Sequence, residues 1–149
     1  MRNGLCALTD TIVELRAARI PVVGFFAHHH WLVVKHGGNI DRWEVWQRRD
    51  AGGQSWGYLH RNLLSSEAGV GNGPSWLVDC WEGEAATAIA ERVEASVSGY
   101  PWRKRYHYWP GPNSNTYVQW VLAGRLVLGR KAPGKWFANR APDTQGEIA

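Results

Sequence analysis

Apolar residues recur at helical spacing between residues 84 and 98. Ile89, Val93 and Val97 fall on one face of such a helix, and most residues between them are small or charged. Gly99 follows and stops the helix, because glycine is favoured just beyond a helix end. The pattern therefore predicts a helix over this range with one buried face.

The same spacing predicts a helix near the start of the chain. Thr9 or Asp10 can cap it, Val13 lies on its apolar face, and Pro21 would end it. A third helix is predicted after the rigid Pro-Gly-Pro turn at residues 110–112. Its first turn also carries candidate chemistry, which is taken up below.

Alternating residues or short apolar runs predict strands elsewhere. The predicted strands cover residues 22–26, 31–35, 42–47, 56–60, 75–81, 104–109 and 126–128. The first two could form one strand that contains three consecutive histidines, and a glycine turn folds the next strand back on it as a hairpin. The strand at 75–81, with Cys80, is expected to be buried, and the glycine-rich segment 65–74 is expected to be the most mobile loop.

Helices and strands are segregated along the chain, which predicts an α+β fold. The chain has 149 residues, of which 44% are hydrophobic and 20% charged, so it is long and apolar enough for one domain with a sizeable core. The pattern is lost after Pro133. We therefore expect a single α+β domain over residues 1–135 and a loosely structured C-terminal tail over residues 136–149.

Ten tryptophans exceed what a core of this size needs, so some are expected to line a groove or an interface. The net charge of +4 makes only a weak case for nucleic acid, because most basic residues are dispersed. A nucleic-acid binder would use the cluster at residues 103–105 and the basic tail at residues 125–140, with Trp102 and Tyr106 stacking on bases. This is the least favoured of three functional hypotheses.

Cys6 and Cys80 do not form a metal-binding motif. No signal-peptide pattern follows Met1, and the apolar stretch at residues 20–34 is too short and too polar to span a bilayer. These features predict a cytoplasmic protein without a membrane span. No cofactor is expected.

Three consecutive histidines stand in a predicted strand. Side chains alternate along a strand, so His28 and His30 share one face and His29 takes the other. Three interpretations are open. A metal site could combine the first pair with His36 or His60. One histidine could instead be a general base, or the strand end could be polar without any chemistry.

The third predicted helix begins at Asn113 or Ser114, either of which can cap it, and ends near Gly124. The first turn of a helix has unpaired N–H groups and a partial positive charge, which can stabilise an anion or an oxyanion. A hydroxyl held there and a strand histidine form a nucleophile–base arrangement. The same residues also fit a well-capped surface helix.

Under the catalytic interpretation, Ser114 is the nucleophile and His29, or less favourably His30, is the base. A third polar residue orients the imidazole in such sites. Glu44 is the best candidate, because a hairpin could place it beside the histidine strand. Two other residues could take this role: Asp79 and His60.

Backbone N–H groups near Asn115 and Thr116 would form the oxyanion hole of such an enzyme. A non-catalytic binding module is the alternative hypothesis, in which a tryptophan-lined groove holds a small polar or anionic ligand. The candidate ligand contacts are Asn113, Asn115, Thr116, Trp31 and Trp109.

Residues 109–117 read Trp-Pro-Gly-Pro-Asn-Ser-Asn-Thr-Tyr, which resembles the PGPNSNT[FY] signature of an uncharacterised bacterial domain family. Residues 26–31 resemble that family's His-x-Trp pattern, which picks out His29. The resemblance covers roughly residues 11 to 135. It implies membership of a family and carries no activity with it.

A more distant resemblance is to permuted papain-like proteins, among them lecithin–retinol acyltransferase-like proteins and PPPDE peptidases. It implies a small antiparallel sheet packed against a few helices, an early strand histidine and a late nucleophile. Their motif often reads Asn-Cys-Asn-x-Phe, which residues 113–117 match with serine in place of cysteine. The implied activity is hydrolysis or acyl transfer on an amide or ester of a small molecule, peptide or lipid. A serine needs strong activation for this, so the scaffold also fits a protein that only binds.

Overall fold

The computed structural model describes residues 10–21 and 26–142, which form six β-strands and two α-helices. The strands are β1 (Thr11–Arg19), β2 (His28–His36), β3 (Asn39–Val45), β4 (Gln54–Trp56), β5 (Leu59–Arg61) and β6 (Ser75–Glu82). The helices are α1 (Gly83–Gly99) and α2 (Ser114–Leu122), followed by a 3-10 helix (Lys135–Asn139). The strands form one antiparallel sheet in the order β4-β5-β3-β2-β1-β6. The predicted α+β class is confirmed.

The helix predicted between residue 10 and Pro21 is wrong, because residues 11–19 form strand β1 in the interior of the sheet. Val13 and Leu15 point to one face and pair with Val34 and Leu32 of β2. Both faces of this strand are largely covered, so its apolar residues do not alternate cleanly with polar ones. A buried strand of this kind imitates helical spacing in the sequence.

The predicted hairpin of β2 and β3 is confirmed, and the histidines lie at the start of β2. Gly37 and Gly38 form its two-residue turn, with φ of +56° and +83°. Two positive φ angles in succession suit a tight hairpin turn and favour glycine. Residues 22–25 of the preceding predicted strand lie outside the described residues, and Phe26 lies in a turn.

Three other strand predictions need correction. The strand predicted at 56–60 is two short strands, β4 and β5, joined by a turn. No strand forms at 104–109, where the His107 N–H instead bonds the Pro112 carbonyl in a local loop. No strand forms at 126–128, because the Gln119 side chain bonds the Leu126 carbonyl and the Leu128 N–H.

Strand β6 exists as predicted, but it is not buried. It lies at the edge of the sheet, and Leu77 and Val78 are 49% and 43% exposed. Cys80 is an exposed free thiol. Apolar residues at a sheet edge give the same sequence signal as apolar residues in a covered strand, which explains the error.

The main core lies between the sheet and the two helices. Side chains of Leu32, Trp43 and Val45 pack there against helix residues such as Ile89 and Val118. The opposite face of the sheet is covered by the loop at residues 62–74, which receives hydrogen bonds from side chains of β2 and β3. The site described next lies where β2 begins and β3 ends, beside the start of α2.

The domain boundary at residue 135 stays a prediction. The chain just beyond it forms the 3-10 helix, whose Phe137 packs into the main core. Residues 143–149 of the predicted tail lie outside the described residues. None of the described helices has the length and apolar character to cross a membrane.

Candidate active site

Asn113 holds the start of helix α2. Its side-chain oxygen accepts hydrogen bonds from the backbone N–H groups of Asn115 and Thr116 at 3.0 and 3.2 Å. Its amide nitrogen donates to the carbonyls of Tyr108 and Pro133 at 2.8 and 3.0 Å. The oxygen therefore caps the helix, and the nitrogen holds two loops in place. The side chain is buried.

Asn115 joins the helix to strand β2. Its amide nitrogen donates to the carbonyls of His28 and Pro133 at 3.0 and 3.1 Å. Its oxygen accepts a hydrogen bond from the Nδ1–H group of His30 at 2.8 Å. The side chain is 2% exposed, so its place is between the strand and the helix rather than on a ligand surface.

Thr116 completes the capping box. Its hydroxyl accepts from the Asn113 N–H at 3.0 Å and donates to the Gly134 carbonyl at 2.7 Å. Gly134 has a φ of +89°, and a Cβ atom there would lie 2.3 Å from the Asn113 amide nitrogen. The turn at Gly134 therefore fits against this cap only with glycine.

The cap also changes the expected oxyanion hole. The N–H groups of Asn115 and Thr116 already bond the Asn113 side chain. Within the described part of the chain, the Ser114 N–H makes no hydrogen bond. The N–H group at this helix start that can receive an oxyanion is therefore that of Ser114 itself.

Ser114 differs from its three polar neighbours. Among the four side chains of residues 113–116, only its hydroxyl makes no hydrogen bond to another described residue. The residue is 7% exposed and lines a cavity of about 310 Å³ together with His29. The sequence motif thus holds one uncommitted hydroxyl at the edge of a cavity.

His29 and Glu44 form a short buried hydrogen bond, with 2.6 Å between Nε2 and Oε2. The β2–β3 hairpin brings them together on the face of the sheet opposite the helices, as their positions in the predicted hairpin suggested. The His29 ring also stacks on Trp31, with 5.5 Å between ring centroids, and meets the edge of Trp46 at 5.3 Å. Three contacts therefore fix the imidazole plane.

Arg42 holds Glu44 in place from the same strand. Its Nε and Nη2 atoms donate to the two carboxylate oxygens, both at 2.8 Å. Its Nη1 atom donates to the carbonyls of Ser65 and Ala68, and its guanidinium lies 3.9 Å above the Trp31 ring. Both charged side chains are fully buried. Such a bidentate pair fixes the carboxylate geometry strongly.

The ionisation of Glu44 follows from its surroundings. Burial opposes ionisation of Glu44, but the hydrogen bonds from His29 and Arg42, together with the Arg42 charge, outweigh it and hold the pKa of Glu44 below its ordinary value. An ionised carboxylate only accepts, so the hydrogen of a neutral His29 lies on Nε2. Nδ1 of His29 is then free of hydrogen, and it makes no hydrogen bond to any described residue.

His30 points to the other face, where Asn115 binds it. Because Asn115 donates with its nitrogen elsewhere, the His30 Nδ1 carries a hydrogen. Burial lowers the pKa of His30 to about 4. The buried, neutral ring joins β2 to the start of α2 and does not line the cavity that contains Ser114.

We expect His30 to make the protein less stable in acid. The pKa of a histidine in the unfolded chain is about 6.5, whereas the pKa of folded His30 is about 4. Between these two pH values the unfolded chain binds a proton that the folded chain does not, and this favours unfolding. Through His30 alone, acidification from about pH 7 to about pH 4.5 should lower the free energy of unfolding by about 2 kcal/mol. Urea denaturation at several pH values measures this loss in wild type and in His30→Gln. In the variant, the free energy of unfolding should depend less on pH by this amount. His36→Gln, at the exposed end of β2, should retain the wild-type pH dependence; equal slopes in wild type and His30→Gln would contradict the assignment.

The cavity has an aromatic side. Trp46 at the end of β3 and Tyr106 and Tyr108 from the loop before α2 line it, and Gln47 lies at its rim. The predicted tryptophan-lined groove is therefore lined by one tryptophan and two tyrosines among the described residues. Trp31 is fully buried and donates from Nε1 to the Ser66 carbonyl.

The remaining sequence candidates do not line the cavity, although His60 on β5 pairs across the sheet with Glu44 on β3. Trp109 is 71% exposed and does not line the cavity. Asp79 is on the edge strand β6, where it accepts a bond from its own neighbour's N–H. His60 donates from Nδ1 to the Tyr58 carbonyl, and its Nε2 accepts from the Ala51 N–H. Both of its ring nitrogens are thus used in holding a loop.

The histidines do not converge on a metal. His36 lies at the far end of β2, with Nδ1 2.9 Å from the Thr11 hydroxyl. Over the described residues, no three His, Cys, Asp or Glu side chains lie close enough to hold an ion. Of the two base-stacking residues proposed for nucleic acid, Trp102 is 5% exposed and packs in the core, and Tyr106 lines the cavity.

A protein-family model described as "Protein of unknown function (DUF3750)" matches residues 10–137. The chain belongs to this family. The DUF3750 match runs from the start of β1 into the 3-10 helix, so it includes Ser114, His29, Glu44 and Arg42. The expectation of an uncharacterised domain family is confirmed. No curated protein and no solved structure matches the chain.

Arg42 is a residue of this site that was not predicted from the sequence. Residues two apart on a strand share a face, so an arginine at position 42 must lie beside Glu44. That spacing was a readable signal. Tyr106 and Tyr108 carry no comparable signal, because a loop without regular structure brings them to the cavity.

Proposed function

We propose that this protein is a hydrolase or acyltransferase that acts on an amide or ester. Ser114 is the nucleophile, His29 the general base, and Glu44 the residue that orients the imidazole. The observation that carries the proposal is the uncommitted Ser114 hydroxyl, which shares a cavity with a histidine whose other nitrogen is bonded to a buried carboxylate. This combination supplies nucleophile, base and orienting group in one place.

The proposed reaction follows from these positions. Ser114 Oγ attacks the carbonyl carbon as its proton passes to Nδ1 of His29, and Glu44 stabilises the resulting imidazolium. The Ser114 N–H is the group at the helix start that faces the new oxyanion. The proton on Nδ1 then passes to the leaving alcohol or amine, which leaves an acyl ester on Ser114. Water, or an acceptor hydroxyl or amine, releases the acyl group by the same steps in reverse.

We also propose that the scaffold is permuted papain-like. The order of a strand histidine before a helix-start nucleophile supports this, as does an antiparallel sheet with two helices packed on one face. Papain-like proteins often have a cysteine where this chain has Ser114. A serine makes the base more important, because an alcohol is hardly ionised at neutral pH. Nδ1 of His29 is the acceptor that such a serine requires.

A binding module is the second candidate function. The observation in its favour is that no hydrogen bond joins Ser114 to His29 within the described residues. The cavity would then hold a ligand without turning it over. The two functions differ in one respect: only in the enzyme does His29 take a proton from the side chain at position 114.

Ser114→Cys tests that difference without a known substrate. A thiol next to a histidine base loses its proton more easily, so we expect the introduced thiol to react with iodoacetamide near pH 6.5 at least about tenfold faster than in the Ser114→Cys/His29→Ala double variant. Peptide mass spectrometry at timed quenches gives both rates. Cys80 is an internal reference, because partial burial and the charges of Glu14 and Glu82 raise its pKa.

Equal rates at the introduced thiol in the single and double variants would show that His29 does not act on this position. The binding module would then be the better description. Circular dichroism of both variants verifies that the comparison is made between folded proteins.

A further inference from the structure

We infer that the group held in the cavity is an uncharged, apolar acyl group of about twelve non-hydrogen atoms, presented to Ser114 through its carbonyl. The inference rests on the proposed function, and it adds the chemical class of the substrate. Three features of the cavity support this inference: its walls, its volume and the charges around it.

Most of the described lining residues are apolar. Ile20, Pro21, Val45 and Val70 supply aliphatic surface in addition to the aromatic residues described above. Ligand cavities of this kind bind mainly by removing apolar surface from water, and a few polar groups fix the orientation. Ser114 and His29 supply such groups among the described lining residues, and a carbonyl would lie against them.

The described lining of the cavity lacks charged residues. None of the described residues that line it is Asp, Glu, Lys or Arg. Arg42 and Glu44 are near but fully buried, and each is bonded to the other, so neither presents a free charge to the cavity. Burial raises the pKa of Tyr106 to about 12, which keeps that wall neutral as well. Away from Ser114 and His29, a charged group would lose its hydration against the aliphatic and aromatic lining without gaining a partner among the described lining residues.

The volume sets the size of the group. An apolar cavity of about 150 Å³ holds one benzene molecule of six carbon atoms. The present cavity, at about 310 Å³, is about twice as large. Because it opens to solvent, it holds about twelve non-hydrogen atoms of a group, which corresponds to a medium-length acyl chain or a substituted aromatic ring, and a longer group would extend out of it.

Calorimetric titration with three amides tests the inference. N-methyloctanamide is the neutral apolar probe, N-methylacetamide is its short counterpart, and the ω-carboxylate of the octanamide is its charged counterpart. Each buried methylene is worth about fourfold in affinity, so the octanamide should bind at least about a hundredfold more tightly than the acetamide. The carboxylate should bind at least about tenfold more weakly than the neutral octanamide.

Variants at one wall position separate charge from shape. Val70→Asp and Val70→Asn have side chains of nearly equal size, and only the first is charged. We expect the aspartate variant to bind N-methyloctanamide at least about tenfold more weakly than the asparagine variant. If either variant does not fold, the three amides on the wild-type protein still decide the question.

Failure of the inferred substrate class can be distinguished from failure of the proposed catalysis. Absent binding of N-methyloctanamide, or equally tight binding of its carboxylate, would overturn the inference about the substrate class. Tight and selective binding by both wild type and Ser114→Ala supports it whether or not turnover occurs. If the Ser114→Cys experiment fails in the same protein, the cavity is an apolar binding site and the proposed catalysis is withdrawn.

Discussion

Replacing Arg42 with leucine should lower the unfolding free energy by about 3–5 kcal/mol. The substitution leaves the fully buried Glu44 carboxylate without its bidentate partner. It also removes the donor that bonds the carbonyls of Ser65 and Ala68 in the loop covering this face of the sheet. Removing one member of a buried ion pair is costly because the other charge stays buried and uncompensated. Equilibrium urea denaturation followed by tryptophan fluorescence measures the change.

Arg61→Leu is the matched control. Arg61 also pairs with a carboxylate of β3, Asp41, at 2.9 Å, but the arginine side chain is 33% exposed. A partly exposed pair of this kind contributes about 0–1 kcal/mol. If Arg42→Leu does not fold, Arg42→Lys keeps the charge without the planar fork and should still be clearly less stable than wild type. A loss below about 1 kcal/mol in the leucine variant would show that Arg42 does not hold Glu44 as described.

Glu44→Gln should slow the reaction of Ser114 with a fluorophosphonate probe by about 10³–10⁴-fold. The glutamine amide can donate to Nε2 of His29, which favours the tautomer that carries its hydrogen on Nδ1. That tautomer cannot accept the proton of the Ser114 hydroxyl. The rate of adduct formation, measured by intact mass at several probe concentrations, gives the effect.

Two variants separate this effect from loss of charge or folding. Glu44→Asp keeps the charge that pairs with Arg42 but shortens the reach to His29, so it should react more slowly than wild type and faster than Glu44→Gln. Glu14→Gln removes a carboxylate that pairs with Lys35 at 3.2 Å outside the site, and it should react like wild type. If folded Glu44→Gln reacted at the wild-type rate, Glu44 would have no part in orienting the base.

Local patterns predicted those parts of the fold that local interactions determine. Helix α1 and the β2–β3 hairpin follow from helical spacing and from the glycine turn, and both form. Strand β1 could not be recognised, because tertiary packing covers both of its faces and removes the alternation. The segment at 126–128 has strand-like residues, but a distant side chain, Gln119, takes its hydrogen bonds.

The candidate site shows the same division. Hairpin geometry brings Glu44 to His29, and the polar motif after the Pro-Gly-Pro turn begins helix α2, so these positions could be read from the sequence. The sequence could not tell which polar residues are structural. Asn113 and Asn115 resemble ligand contacts as residue types, but their bonds to Pro133 and to β2 form only in the folded chain.

Fluorophosphonate labelling of wild type, Ser114→Ala and His29→Ala, followed by intact mass, tests the central claim most directly. We expect one adduct on the wild-type protein, mapped to Ser114 by peptide mass spectrometry, and no adduct on either folded variant. A wild-type adduct at another residue, or labelling of His29→Ala at the wild-type rate, would contradict an activated Ser114–His29 pair.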